Sequence, residues 1–159
     1  VDPSGRVDLV ADEATLPDPN GLCFSPDHKK LYVVSFAKGP GDTGPGGNRS
    51  VYVFDVGANN RLGRPQLFSD FMIDGVKCAP DGIRVDVDGN LWSASNAGRA
   101  VGYNGVTVWN PQGKLIGRIR LPEVCANLTF GGPKRNRLFM MGSTSLYSLY
   151  VGTQGAGPS

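Results

Sequence analysis

Apolar and polar residues alternate along this chain in short bursts, each broken by turn residues. Gly105-Val106-Thr107-Val108-Trp109 and Ile83-Arg84-Val85-Asp86-Val87 send every second side chain to one face, the signature of a half-buried β-strand. The same reading predicts strands at residues 7–11, 22–25, 30–36, 50–55, 65–68, 83–87, 90–95, 105–109, 114–120, 128–130, 137–140 and 145–150. Turn chemistry separates them: Pro26-Asp27-His28-Lys29, Asp88-Gly89-Asn90 and Asn110-Pro111-Gln112-Gly113. No segment repeats its apolar residues at a helical period, so the expected class is all-β.

The hairpins repeat. Pro19-Asn20-Gly21-Leu22-Cys23-Phe24, closed by Leu31-Tyr32-Val33, has a near copy in Pro80-Asp81-Gly82-Ile83-Arg84-Val85, closed by Leu91-Trp92. A third begins at Leu128-Thr129-Phe130 and returns at Leu138-Phe139-Met140. Leu22, Ile83 and Leu128 are equivalent, 61 and 45 residues apart. A Gly/Pro-rich stretch at residues 37–49, expected to be an exposed flexible loop, accounts for most of the excess in the first spacing. Four short strands in about 45 residues is the unit of a propeller blade. About two and a half blades and one leading strand are present, the leading strand at 7–11 being in the right phase to complete a last blade that lacks its outer strand. A closed propeller needs four blades or more, so either the chain belongs to a longer protein or copies assemble; the first is the expectation adopted.

Composition narrows the function classes. With 159 residues the chain can bury one real core, and its net charge of +2 comes with no basic stripe to suit nucleic acid. No apolar run is long enough to span a bilayer, and Val1-Asp2-Pro3-Ser4-Gly5 does not read as a signal peptide, which leaves the compartment open. Cys23, Cys78 and Cys125 match no zinc spacing and are expected as buried free thiols. The one histidine, His28, lies in a turn, which disfavours a histidine-dependent triad.

Two residues stand out as chemistry. Asn20 and Asp81 both lie two residues before an inner-strand apolar residue, at one height in consecutive repeats. Two such oxygen donors suit a hard cation, Ca²⁺ or Mg²⁺, and Zn²⁺ or Mn²⁺ also occupy mixed oxygen sites. Against this, Asn-Gly and Asp-Gly are common turn dipeptides. The third repeat carries Ala126 at the same place and has no ligand there. Asp86, Asp88, Asp27 and Arg84 read as structural, Trp92 and Trp109 as blade core, and Asn96 as a residue of the channel rim.

Taken in order, Leu16-Pro17-Asp18-Pro19-Asn20-Gly21-Leu22-Cys23-Phe24-Ser25-Pro26-Asp27, the Pro80 to Trp92 stretch and Asn127-Leu128-Thr129-Phe130-Gly131-Gly132 resemble the gluconolactonase family, also known as the senescence marker protein-30 or regucalcin-like family. The resemblance spans nearly the whole chain, residues 1–159, and implies a six-bladed β-propeller of about twice this length, of which the chain is the C-terminal half, about three blades. It implies one divalent metal, Ca²⁺ foremost, at the channel mouth, held by a Glu, an Asn and an Asp. By motif the Asn is Asn20 and the Asp is Asp81. The Glu and the substrate-contacting Arg and Asn belong to earlier blades with no counterpart here. The implied activity is metal-dependent hydrolysis of a sugar lactone, the metal polarising the carbonyl and Asp81 a candidate base for the attacking water. The other class left open is a non-catalytic propeller that binds a ligand or protein at its rim.

Overall fold

Alternating residues send side chains to both faces of a blade, and where two blades adjoin each covers the facing side of the other. The computed structural model describes residues 3–37, 46–98 and 100–157. The first blade is an antiparallel sheet of β1 (Pro19–Phe24), β2 (Lys30–Ser35), β3 (Ser50–Asp55) and β4 (Gln66–Ser69), with a short 3₁₀ turn at Ala58–Asn60. A two-stranded hairpin, β5 (Met72–Ile73) and β6 (Val76–Lys77), links it to the second blade. That blade is β7 (Ala79–Val85), β8 (Leu91–Asn96), β9 (Gly105–Trp109) and β10 (Leu115–Arg120). The third contains β11 (Cys125–Gly131), β12 (Arg137–Gly142) and β13 (Leu146–Tyr150). These are consecutive blades of a β-propeller, with β1, β7 and β11 packed side by side as the innermost strands. Among the described residues no helix is long and apolar enough to cross a membrane.

The period of two decides which blade each side chain meets. On β2, Tyr32 and Val34 pack with Ile83, Val85, Leu91 and Trp109 between the first two blades. The intervening Val33 turns to the far face of the first blade, where Leu16 and Phe54 cover it. On β8 and β9, Trp92, Ala94, Val106 and Val108 meet Leu128, Phe130, Leu138 and Met140 of the third blade. Both tryptophans are therefore interblade core, as expected. Phe71 and Ile73 of the linking segment are fully buried in the first interblade layer, with the Phe71 ring centroid 4.8 Å from that of Trp109.

The sequence reading is corrected at two places. Residues 7–11, expected as a strand, form none and lie on the surface, Val7 being 91% exposed. Alternation alone makes no strand: among the described residues nothing offers this segment a backbone ladder, so its N–H and C=O groups gain nothing from extension. The hairpin at β5 and β6 was not expected at all. Of the loop expected at 37–49, residues 38–45 lie outside the described residues; Gly47 N–H donates to Asp18 Oδ2 at 2.7 Å and ties its end beside β1.

The end of the chain also does more than the sequence suggested. Residues 154–156 return to the second blade: Val87 N–H donates to Gln154 O and Ala156 N–H to Val85 O, while Gly155 bridges to Asp86. Arg135 clamps this segment from the third blade, donating through Nε to Gly155 O and through Nη2 to Ala156 O.

Candidate functional site

The three inner strands share a defect at one end, and the candidate site sits on it. In β1 the two residues Asn20 and Gly21 lie between the pairs Pro19–Ser35 and Leu22–Val33, opposite the single residue Val34. In β7, Asp81 and Gly82 lie between Pro80–Ser95 and Ile83–Ser93, opposite Ala94. The third copy, in β11, falls between Cys125 and Asn127, at Ala126. A bulge of this kind bends the strand and re-aims a side chain. The sequence equivalence of Asn20, Asp81 and Ala126 is thus an equivalence of backbone geometry.

The glycine after each donor brings the strands together. A Cβ on Gly21 would lie 2.1 Å from Asp81 O and 3.1 Å from Gly82 Cα, both backbone atoms. A Cβ on Gly82 would lie 2.8 Å from Asn127 Cα. Only glycine lets β1 approach β7, and β7 approach β11, this closely, so the Asn-Gly and Asp-Gly pairs set the spacing of the inner strands where they could have been mere turns. Gly21→Ala is expected to push β1 from β7 and cost about 1–3 kcal/mol, the range for overpacking a close contact. At this size that is a fall in Tm of roughly 2–4 °C per kcal/mol, and a thermal melt unchanged from wild type would refute the contact.

Asp81 is half-buried, and burial raises its pKa above the ordinary aspartate value. Its carboxylate takes no hydrogen bond from the described residues, while its charge in turn helps to raise the Cys125 thiol, which burial above all pushes up to about 11. Asn20 is exposed, and its amide likewise makes no hydrogen bond among the described residues. Two oxygen donors on adjacent strands, neither used by the fold, fit a hard cation in the chemistry of their donor set. Among the described residues no three His, Cys, Asp or Glu side chains cluster as a metal site, so whatever these two residues bind needs donors beyond that set.

The neighbouring polar groups are committed elsewhere. Asn127 Oδ1 accepts its own strand's Leu128 N–H at 2.9 Å. Glu123, which precedes β11, was not singled out in the sequence. It caps the turn between β12 and β13: Oε2 accepts the Thr144 N–H and hydroxyl at 2.7 and 2.8 Å, and Oε1 accepts the Tyr147 hydroxyl at 2.7 Å. Those bonds, Tyr147's first, hold its pKa at about 2. Asn96 ends β8 opposite Ala79, and its Oδ1 accepts Gly98 N–H at 3.3 Å. His28 is an exposed turn residue stacked on Phe24, with ring centroids 5.7 Å apart. All three cysteines are free thiols.

Comparison with known proteins places the chain in a family. The family model described as SMP-30/gluconolactonase/LRE-like region matches residues 1–144. The chain belongs to this family. A lactonohydrolase of Aspergillus oryzae, oryL, is 28% identical over 96% of this chain and 35% of its own length. The solved gluconolactonase of Xanthomonas campestris is 32% identical and superposes with a TM-score of 0.60 over 83% of this chain and 37% of that one. A calcium-binding protein of Agrobacterium tumefaciens, regucalcin, shares the fold at 23% identity, with a TM-score of 0.63 over 90% of this chain and 48% of that one. The chain therefore spans about a third to a half of the length of these relatives.

Proposed function

We propose that these blades are part of a larger propeller that hydrolyses a lactone, a sugar lactone foremost, with a divalent cation held at the mouth by Asn20 and Asp81. The observation that carries this reading is the Asp81 carboxylate: half-buried, raised in pKa by burial, and given no hydrogen bond among the described residues. A fold that needed this carboxylate for itself would have given it donors, as it does for Glu123. The relatives named for lactone hydrolysis support the reaction class, and the neighbour named as calcium-binding supports Ca²⁺ as the cation.

Asn20 would give its amide oxygen and Asp81 one carboxylate oxygen, and the bulges would hold both at one height. A divalent cation bound there supplies Lewis acidity toward a carbonyl oxygen. Asp81 would keep a second oxygen that can accept a proton from water attacking an ester carbon.

The end blades support the larger ring. On the first, Leu22 and Phe24 are 55% and 42% exposed; on the third, Met141 and Leu146 are 54% and 70% exposed. Each set lies on a blade face that a neighbouring blade covers elsewhere in the fold. Two copies of this chain could close such a ring, but it would carry two Asn20 and Asp81 pairs and no added carboxylate ligand.

The test is hydrolysis of δ-gluconolactone with Ca²⁺, Zn²⁺ or Mn²⁺ present or chelated. The expected result is metal-dependent turnover when preceding blades are supplied, and little by the 159-residue chain alone. Robust turnover by that chain as a monomer would show the site complete without further blades. Absence of turnover with the further blades present, but with ligand retained at the rim, would favour a binding propeller.

A further inference from the structure

Residues 5–12 copy the segment that forms an outer strand, yet form no strand themselves. Gly63-Arg64-Pro65-Gln66-Leu67-Phe68-Ser69-Asp70 contains β4, the fourth strand of the first blade. Gly5-Arg6-Val7-Asp8-Leu9-Val10-Ala11-Asp12 matches it at both ends, Gly, Arg and Asp, and at the central Leu. The likeness extends to structure. Asp12 Oδ1 accepts Thr15 N–H at 2.9 Å, as Asp70 Oδ1 accepts Met72 N–H at 3.0 Å just past β4. Leu16 then packs on Phe54, as Phe71 packs on Trp109. Phe54 and Trp109 hold one place in their blades, opposite Leu31 and Leu91. The chain is thus laid out for an outer strand at residues 7–11, but Leu9 and Val10 are 83% and 65% exposed.

The third blade has the opposite lack. β3 and β9 pair on their outer edges with β4 and β10, whereas the outer edge of β13 pairs with nothing among the described residues. Residues 154–156 turn back to the second blade and leave that edge open. We propose that residues 7–11 of one copy of this chain form the fourth strand of the third blade of a second copy, the two copies completing each other about a two-fold axis. Blade order picks this occupant. A strand at the place of β4 belongs to the blade before the next inner strand, and in a ring of two copies the blade before β1 is the third blade of the other copy. The same closure covers the open faces that expose Leu22 and Phe24 on one side and Met141 and Leu146 on the other. The proposal takes from the function above only its ring of blades. The pairing of β3 with β4 sets the register: Val51 faces Ser69, Tyr52 faces Leu67 and Val53 faces Gln66. Tyr52 and Tyr147 are equivalent, each opposite the fourth residue of the strand before, Val33 or Met140. Leu9 therefore faces Tyr147 of the second copy, and Asp8 faces Ser148. Phe68 packs edge-on against Tyr32 at 5.0 Å, which sets Val10 against Phe139, the equivalent residue of the third blade.

The experiment is sedimentation velocity of the full 159-residue chain over a range of micromolar concentrations. The expected species is a closed dimer. Val10→Asp should raise its dissociation constant at least tenfold, because a carboxylate would enter the seam between copies. Val10 is already on the surface of the single chain, so that change leaves the monomer's core alone. Deletion of residues 1–11 removes the strand outright and should give a monomer. Asp8→Cys combined with Ser148→Cys should cross-link two chains through a short bismaleimide, while either change alone should not. Asp81→Asn should dimerise as the wild type does. A wild-type chain that stays monomeric, a series of larger oligomers in place of a dimer, a dimer that survives both Val10→Asp and the deletion, or a dimer that the paired cysteines do not cross-link would overturn the proposal. None of these results bears on lactone turnover by a propeller with its preceding blades, so the two readings fail separately.

Discussion

Asp86→Ala is expected to lower the stability of this chain by about 3–5 kcal/mol, a large share of the 5–15 kcal/mol typical of a domain. Asp86 is 1% exposed and sits where β7 turns into β8. One carboxylate oxygen accepts the backbone N–H groups of Asp88 and Asn90, at 3.0 and 2.9 Å. The other accepts the Asn90 side-chain amide and the Trp92 indole N–H, both at 2.9 Å. Hydrogen bonds to a charged group are worth roughly 1.5–3 kcal/mol, and removal of the shared acceptor strands the buried indole donor. Trp92 is also the ring that packs edge-on against Phe130, with centroids 5.3 Å apart, so the turn and the second interblade layer should loosen together. Asp86→Asn should lose less, because one oxygen survives while the new amide nitrogen faces N–H donors. Urea unfolding measures both; a loss under 1 kcal/mol for Asp86→Ala would show that the turn holds without its acceptor.

That residue also marks where sequence reading stops. Alternation located β3 and β9 with their observed bounds, because Ser50–Asp55 and Gly105–Trp109 are apolar-rich runs with clean turns at both ends. It started β7 and β11 too late: their first residues, Ala79 to Gly82 and Cys125 to Asn127, contain the bulges, where pairing counts two residues against one and the period of two breaks. It made a strand of residues 7–11 because a pattern describes a surface that could be buried and says nothing of a partner. It passed over Phe71, held at φ 55° and fully buried, because Ser69-Asp70-Phe71-Met72-Ile73-Asp74-Gly75 has no period to read. For the candidate site, Asn20 and Asp81 were legible from the repeat. That their glycines space the inner strands, and that the Asp81 carboxylate takes no hydrogen bond among the described residues, are facts of assembly between strands some 60 residues apart.

Asp81→Asn is expected to act in opposite directions on the metal-free and the metal-loaded protein. Burial raises the folded-state pKa of Asp81, so the folded protein holds its proton more tightly than the unfolded chain does. Below the ordinary aspartate range, about 4, both states are protonated and folding carries no penalty. As pH rises through the folded-state value the carboxylate ionises without a hydrogen-bond donor, and stability falls. At neutral pH and with chelator present, Asp81→Asn should therefore melt above the wild type, and the gap should close as the pH is lowered into the ordinary aspartate range. A saturating divalent cation reverses the order. At one hundred times its dissociation constant a ligand stabilises the folded state by about 2.7 kcal/mol, and the asparagine variant, having lost the ionic ligand, should gain little of that. Loss of an outer-shell partner alone costs about 10–100-fold in metal affinity or activity, so loss of this ligand should cost on the order of 100-fold or more in lactone turnover. Melting curves of both proteins with chelator and with Ca²⁺, taken at several pH values, decide the matter. A variant that is less stable than wild type without metal, or that gains as much from Ca²⁺, would mean that the Asp81 carboxylate serves the fold and holds no cation.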